Sequence, residues 1–327
     1  MEVRNKTEFG RIGVLMAGPS TEKKISLKSG HAVCEALKGC GYNVVPVIIK
    51  TDKIQDNIRL LRLKKIDCAF IALHGRFGED GGIQKILSLL RIPYTGSGAR
   101  ASELAMDKVY SRRIFQRHGL KVPRSRVLNK DSYAGINPRN LSFPLVVKPA
   151  THGSSIGLSI VGKPGDIPKA INMAFKFDSR IIIEEYIKGR ELTVGILEDR
   201  AMPVVEIIPK HSFFDYQAKY KKGLTDYIVP AKLSPALTKR VKKAALDAHR
   251  LLDCFGFSRV DIILNESGEP FVLEVNTIPG LTSTSLLPKA AKQLGIDFTS
   301  LCLKLIKLAY APRRTLKPKK NVKGSVS

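Results

Sequence analysis

The sequence predicts an α/β protein that opens with a parallel sheet and closes with antiparallel hairpins. Three observations carry this. Short apolar runs at 10–18, 43–49 and 66–73 alternate with helical patterns, the spacing of a parallel sheet with right-handed crossovers. Polar or glycine-rich segments follow the first and third runs, at the carboxyl ends of strands, where such sheets bind ligands. Residues 259–280, RVDIILNESGEPFVLEVNTIPG, read as two apolar strands joined by a tight turn.

Composition narrows the class. A chain of 327 residues can fill two or three domains, and its 43% apolar content is that of a soluble globular protein. No run reaches the about 18–20 apolar residues of a membrane span. The N-terminal MEVRNKTEFGRIGVL lacks the apolar core and cleavage site of a signal peptide. The five cysteines, Cys34, Cys40, Cys68, Cys254 and Cys302, are odd in number and scattered, as reduced cytosolic thiols are. We therefore expect a cytoplasmic protein. The net charge of +26 is spread along the chain instead of striped on one helix, and Trp is absent. Nucleic-acid binding is accordingly not expected as the main function, whereas anionic substrates would benefit from such a field.

Taken in order, GRIGVLMAG (10–18) is a strand, and a helical pattern runs over 26–37 with Ser20 or Ser26 as its cap. Runs 43–49 and 66–73 are the next strands. His74 opens HGRFGEDGGIQ, whose glycines let backbone approach a ligand. YTGSGARA (94–101) matches GxGxxA, but no acidic residue ends a second strand about 20 residues on, so a plain strand-to-helix turn is expected. A helix over 99–106 leads through Asp107-Lys108 into a basic helix that ends at His118-Gly119.

FPLVVKPATHGSSIGLSIV (143–161) reads as a strand ending in Lys148, a small-residue loop and a returning strand. Such loops expose backbone N–H groups, and a lysine beside them holds phosphate as a point charge. A helix over 166–177 and a strand over 180–187 follow. The carboxylates at Glu184, Glu185 and Glu191 suit an adenine amino group or a ribose hydroxyl, but from the residues alone solvation at the surface is the preferred reading. Strands at 191–198 and 201–208 form a hairpin around Glu198-Asp199-Arg200. The stretch PKHSFFDYQAKYKKGLTDYIVP lacks clean periodicity and reads as a lid, with Lys219 and Tyr220 at its middle. A helix over 234–254, the hairpin, and terminal helices over 287–294 and 297–310 complete the core. The basic tail from Ala311 reads as disordered.

In the hairpin, placing Ser267-Gly268 at the turn sets Asp261 opposite Glu274 and Arg259 opposite Asn276, all on one face. Facing carboxylates repel unless a cation lies between them. Asp261, Glu274 and Asn276 offer only oxygen ligands, which suits Mg2+ holding waters and phosphates. Arg259 adds a fixed fork for phosphate oxygens.

The motifs STEKKISL, HGRFGEDG, TGSG, MDK, VVKP, GSSIG, DYQAKY, RVDIIL, EVNTIPG and TSTSL, in this order, resemble the D-alanine–D-alanine ligase family of the ATP-grasp superfamily over residues 10–310. The resemblance implies an N-terminal α/β substrate domain (1–107), two α+β subdomains that enclose the nucleotide (108–188 and 189–310), and a tail (311–327). It implies an ATP-dependent ligation of two D-alanines for peptidoglycan precursors, and a homodimer. Asp261, Glu274 and Asn276 would hold two Mg2+ ions, with Mn2+ as an alternative. Lys108 and Lys148 would hold ATP phosphates, with Ser155 in the phosphate loop. Glu184, Tyr186, Ile187 and Glu191 would line the adenine and ribose site, and Lys219 would approach the γ-phosphoryl group. Arg259 and the Gly280 N–H would stabilise the tetrahedral intermediate. Glu22 would bind the first D-alanine's ammonium in a chain with Ser154 and Tyr220, near His74. Ser285 and the Leu286 N–H would take the second D-alanine's carboxylate.

The sequence departs from the family pattern at Lys85, where glycine is common, and at Lys23-Lys24; neither change removes a catalytic group. A D-alanine–D-lactate ligase, or another carboxylate–amine ligase of the superfamily, is the rival reading; Tyr220 in the lid favours the dipeptide. A non-catalytic polyanion binder on the same fold is the remote one.

Overall fold

The computed structural model describes residues 8–133, 135, 141–210 and 224–312. Its first sheet is parallel, in the order β2-β1-β3, from β1 (Ile12–Ala17), β2 (Val44–Ile49) and β3 (Cys68–Ile71). Tyr94 extends it through a parallel bridge to Ala69. Every residue of β1 is buried, as a central strand covered on both faces requires. Helix α1 (Lys23–Gly39) comes so close to β1 that a Cβ on Gly30 would lie 2.6 Å from Met16. Neither expected serine caps this helix. Ser26 Oγ donates to Ala72 O at 2.8 Å and Ser20 Oγ to His74 O at 2.6 Å, so both are drawn toward the segment after β3. Glu22 occupies the cap position without a side-chain bond to the helix.

After α2 (Ile54–Lys64) and α3 (Gly82–Leu89), the YTGSGARA segment is the expected turn into a helix, α4 (Ala99–Met106), with Gly98 at its cap. Helix α5 (Lys108–Arg117) starts where the Asp107 carboxylate accepts from Val109 N at 2.9 Å and Tyr110 N at 3.1 Å. It ends before Gly119, whose φ of +78° suits only a residue without a Cβ penalty.

The second sheet is antiparallel, in the order β4-β7-β5-β6, from β4 (Ser125–Asn129), β5 (Leu145–Pro149), β6 (Ser159–Val161) and β7 (Arg180–Glu185). Helix α6 (Ile167–Ala174) packs Ile167 and Ile171 onto Leu145, Val147 and Ile183. Both α6 and β7 stop short of their expected ends at 177 and 187.

The third sheet is also antiparallel, in the order β10-β9-β8-β11-β12, from β8 (Gly189–Leu197), β9 (Arg200–Pro209), β10 (Thr225–Ile228), β11 (Phe257–Asn265) and β12 (Pro270–Asn276). Glu198 and Asp199 turn β8 into β9 with φ of +51° and +62°, the twist a two-residue hairpin needs. Strand β10 corrects the reading of 209–230 as irregular throughout: Asp226 pairs with Ile208 and Ile228 with Glu206. Its TDYI alternates too briefly for a period to show. Lys219 and Tyr220 lie outside the described residues. Helix α7 (Pro235–Leu251), capped by Ser234, covers this sheet with Val241, Ala245 and Ala248 against Val194, Val260 and Ile262.

The last helices, α8 (Leu286–Lys292) and α9 (Phe298–Ala309), return to the first sheet. Leu287, Leu301, Leu305 and Ile306 share one buried cluster with Ile12, Met16 and Phe70. Tyr310 OH donates to Phe9 O at 3.2 Å, and the two rings stack at 5.9 Å. Among the described residues no helix is long and apolar enough to cross a membrane.

Candidate active site

The hairpin of β11 and β12 places Arg259 opposite Asn276 and Asp261 opposite Glu274, as the sequence predicts. It gets there by another route. The loop holds three residues, 266–268, closed by Asn265 N donating to Glu269 O at 3.1 Å, with Gly268 at φ +74°. This alone would pair Asp261 with Leu273. A β-bulge between Asp261 and Ile262 inserts Leu273 as an extra residue on β12 and restores the register. The two-residue turn assumed from Ser267-Gly268 is thus corrected, and two shifts of one residue cancel.

Asp261 is the centre of the cluster. Arg259 Nε donates to its Oδ1 at 3.0 Å and Nη2 to its Oδ2 at 2.9 Å. Asn276 Nδ2 donates to Oδ2 at 3.1 Å, and Thr193 Oγ1, from β8, donates to Oδ1 at 2.7 Å. Glu274 Oε2 lies 3.2 Å from Lys108 Nζ, which also donates to His152 O at 2.8 Å. The donor set fits Mg2+: two half-buried carboxylates and one amide, all oxygen-bearing, with cations beside them. Among the described residues no group of three or more His, Cys, Asp or Glu converges. So sparse a set leaves coordination positions for phosphate oxygens and water, the usual mode for a magnesium nucleotide.

One cleft, of about 550 Å³, runs between the second and third sheets from this cluster to Tyr186, Ile187 and Glu191, with Ser155 on its wall. Ser154 and Ser155, with φ of +54° and +58°, stand at the apex of the small-residue loop, Ser155 lining this cleft. Glu184 is not solvated, against the preference drawn from the residues alone. It is 4% exposed, with Lys148 Nζ 2.8 Å from Oε1 and Arg112 paired to Oε2. Burial by itself would raise its carboxyl, but Arg112 and Lys148 outweigh this and hold it below the usual carboxylate range. Burial, helped by the Arg112 charge and opposed by Glu184, brings Lys148 down to about 8. Arg112 itself went unnoticed in the sequence, because a basic residue in a basic helix carries no distinguishing signal.

A second cleft, of about 250 Å³, brings together Glu22, His74, Arg259, Gly280, Ser285 and Leu286. Ser154 Oγ donates to Glu22 Oε1. Tyr220, the third member expected in that chain, lies outside the described residues. His74 is 5% exposed and held at both nitrogens, Nε2 3.0 Å from Ser29 Oγ and Nδ1 3.2 Å from Glu79 Oε1. Leu281 N–H donates to Ser29 Oγ at 3.3 Å, so the chain runs from Glu79 to the backbone beside Gly280. Burial raises the Glu79 carboxyl and the His74 bond opposes it. Sequence reasoning missed both Ser29 and Glu79; the only signal for Glu79 was its place in the glycine-rich loop. Ser285 Oγ accepts from Thr282 N at 3.1 Å, and a Cβ on Gly280 would stand 3.1 Å from that same oxygen. Gly153 and Glu274 line both clefts, which therefore meet at the cationic cluster.

The sequence model of the D-ala D-ala ligase C-terminus matches residues 114–307, and that of the N-terminus matches 51–97. The chain belongs to the D-alanine–D-alanine ligase family. Curated D-alanine–D-alanine ligases from Geotalea uraniireducens (strain Rf4) and Geobacter sulfurreducens are 46% and 45% identical to it, over 91% and 93% of this chain and 95% of each relative. The crystal structure of the D-alanine–D-alanine ligase from Bacillus anthracis complexed with ATP matches with a TM-score of 0.81 at 36% identity, covering 91% of this chain and 97% of that one. The VanG D-Ala:D-Ser ligase from Enterococcus faecalis matches with a TM-score of 0.76 at 31% identity, over 91% and 99% of the two chains. A parallel sheet followed by two antiparallel sheets around a cleft is, in this D-alanine–D-alanine ligase family, the ATP-grasp fold.

Proposed function

We propose that this chain is an ADP-forming ligase that joins two D-alanines into D-alanyl-D-alanine for peptidoglycan precursors, and so serves cell-wall biogenesis and cell shape. Membership of the family supports the activity. The observation that carries the mechanism is the shared wall of the two clefts. A nucleotide in the larger cleft and an amino acid in the smaller one would meet at Gly153 and Glu274, beside Arg259 and Lys108.

In the larger cleft Glu184, Tyr186, Ile187 and Glu191 hold adenine and ribose, while Lys108, Lys148 and the Ser155 loop hold the phosphates. Asp261, Glu274 and Asn276 would hold Mg2+ or Mn2+, which neutralises phosphate charge and polarises the transferred group. Lys219, outside the described residues, would act on that group on family grounds. In the smaller cleft Glu22, fixed by Ser154, takes the first D-alanine's ammonium close to His74, and Tyr220, outside the described residues, would join that chain on family grounds. The first carboxylate attacks the γ-phosphorus, the bond to ADP breaks, and an acyl phosphate forms. The neutral amine of the second D-alanine, its carboxylate on Ser285 and the Leu286 N–H, attacks the carbonyl carbon. Arg259 and the Gly280 N–H stabilise the oxyanion, and phosphate leaves as the nitrogen loses its proton. Because acyl phosphates hydrolyse, the segment bearing Tyr220 must exclude water.

The chain would comprise a substrate domain over 1–107, ATP-grasp subdomains over 108–188 and 189–310, and a basic tail over 311–327. It would act as a homodimer, on family grounds, and in the cytoplasm, where its five free cysteines stay reduced. Incubation with ATP, Mg2+ and D-alanine should release phosphate and yield the dipeptide. Silence with D-alanine but turnover of another amino acid would overturn the reading. D-Lactate as second substrate, compared with D-alanine across pH, separates the depsipeptide alternative.

A further inference from the structure

We propose that Arg112 is a positioning residue that ties the adenine-end carboxylate Glu184 to the register of the metal-binding hairpin, through the carbonyl of the bulged residue Leu273. The inference deepens the function proposed above and rests on it.

Arg112 sits in the middle of α5 and is 3% exposed. A guanidinium so deeply buried is costly unless its donors are engaged. One side of its fork pairs with Glu184 on β7. The other side goes to Leu273 O, Nη2 at 3.2 Å and Nε at 3.4 Å. Leu273 is the extra residue of the β12 bulge, and β12 is the edge strand of its sheet, so no further strand is available to a carbonyl displaced there. Arg112 takes that role. Lys108, one turn earlier on the same face of α5, holds Glu274, the next residue along β12. Helix α5 thus grips two consecutive residues of the hairpin while it pairs with a strand of the other antiparallel sheet.

If the bulge slipped by one residue, Asp261 would face Leu273 and the two carboxylates would part. A residue that only neutralised Glu184 would have no bearing on the metal. A residue that also fixes the bulge sets the distance between the metal ligands, and makes metal affinity and nucleotide affinity depend on one side chain.

The test compares Arg112→Lys and Arg112→Met in the full chain. Lysine keeps a charge for Glu184, but a single ammonium does not span Glu184 and Leu273 O as the fork does. Binding is read without D-alanine, by calorimetry of ATP at fixed Mg2+ and by the electron spin resonance of Mn2+ bound with ATP; phosphate release with D-alanine is read separately. In Arg112→Lys, ATP affinity stays within about threefold while the Mn2+ and Mg2+ half-saturation points rise about fivefold or more. In Arg112→Met both affinities fall, by about tenfold or more. A mere loss of thermal stability in the variant that folds, with Mg2+ and Mn2+ half-saturation unchanged, overturns the proposal. Wild-type protein that binds magnesium nucleotide but does not turn over D-alanine would instead defeat the proposed function and leave the role of Arg112 standing.

Discussion

Thr193 Oγ1 donates to Asp261 Oδ1 at 2.7 Å from the neighbouring strand, while its own backbone pairs with Asp261 in the ladder. The threonine thereby fixes the carboxylate's rotation. A hydrogen bond to a charged group contributes about 1.5–3 kcal/mol. Thr193→Val keeps the shape and removes the donor. We expect the Mg2+ concentration for half-maximal activity to rise about ten- to a hundredfold, with the KM for D-alanine nearly unchanged, as a titration of activity against Mg2+ would show.

Glu274 is the residue common to both clefts and to the pair with Lys108. Glu274→Ala should lower kcat by about a thousandfold or more, through loss of a metal ligand at the phosphoryl group. The side chain is 18% exposed and its strand is held by backbone bonds, so the melting temperature should move little. Activity close to wild type in this variant would remove Glu274 from the site.

Lys148 gives a pH signature. With the free lysine at about 8, its charge is lost as pH rises through that value, and the apparent affinity for ATP should fall by up to tenfold per pH unit above it. In Lys148→Met the inflection should vanish while weaker binding remains. For folding, the same lowering has the opposite slope. The unfolded lysine keeps its proton to about 10.5, so this residue costs stability below about pH 8, and the cost fades between the two values.

His249, buried on α7 with Nδ1 2.7 Å from Ser258 Oγ, is held neutral by burial, down to about 4. The unfolded chain binds the proton near 6.5. Its contribution to stability is therefore complete above pH 6.5 and lost as pH falls toward 4. Urea midpoints measured across this window should decline with acid in the wild type and decline less steeply in His249→Gln.

Much of this was legible in the sequence. Strand runs and turn residues placed the first sheet, and the two-residue spacing of Arg259 and Asp261 in an apolar run put them on one face. The bulge was not read, although its trace is there: Val272 and Val275, the buried positions of β12, stand three apart where a regular strand gives two. Arg112, Ser29 and Thr193 escaped notice because their roles come from residues 72, 252 and 68 positions away, and nothing local marks them. Strand β10 escaped because four residues of alternation are too few to tell from loop.

The return of α8 and α9 to the first sheet has a bearing on how the chain is made. Phe9 and the inner face of the opening strand are covered in part by Val33, Leu37 and Tyr42, and their apolar covering is complete only once Leu301, Leu305, Ile306 and Tyr310 have been synthesised. On the ribosome the opening strand must wait, partly bare, until α9 has emerged. A stop codon shortly after Lys292 would leave it so permanently, and the shortened product should be insoluble or rapidly degraded even though every residue of the two clefts has been encoded.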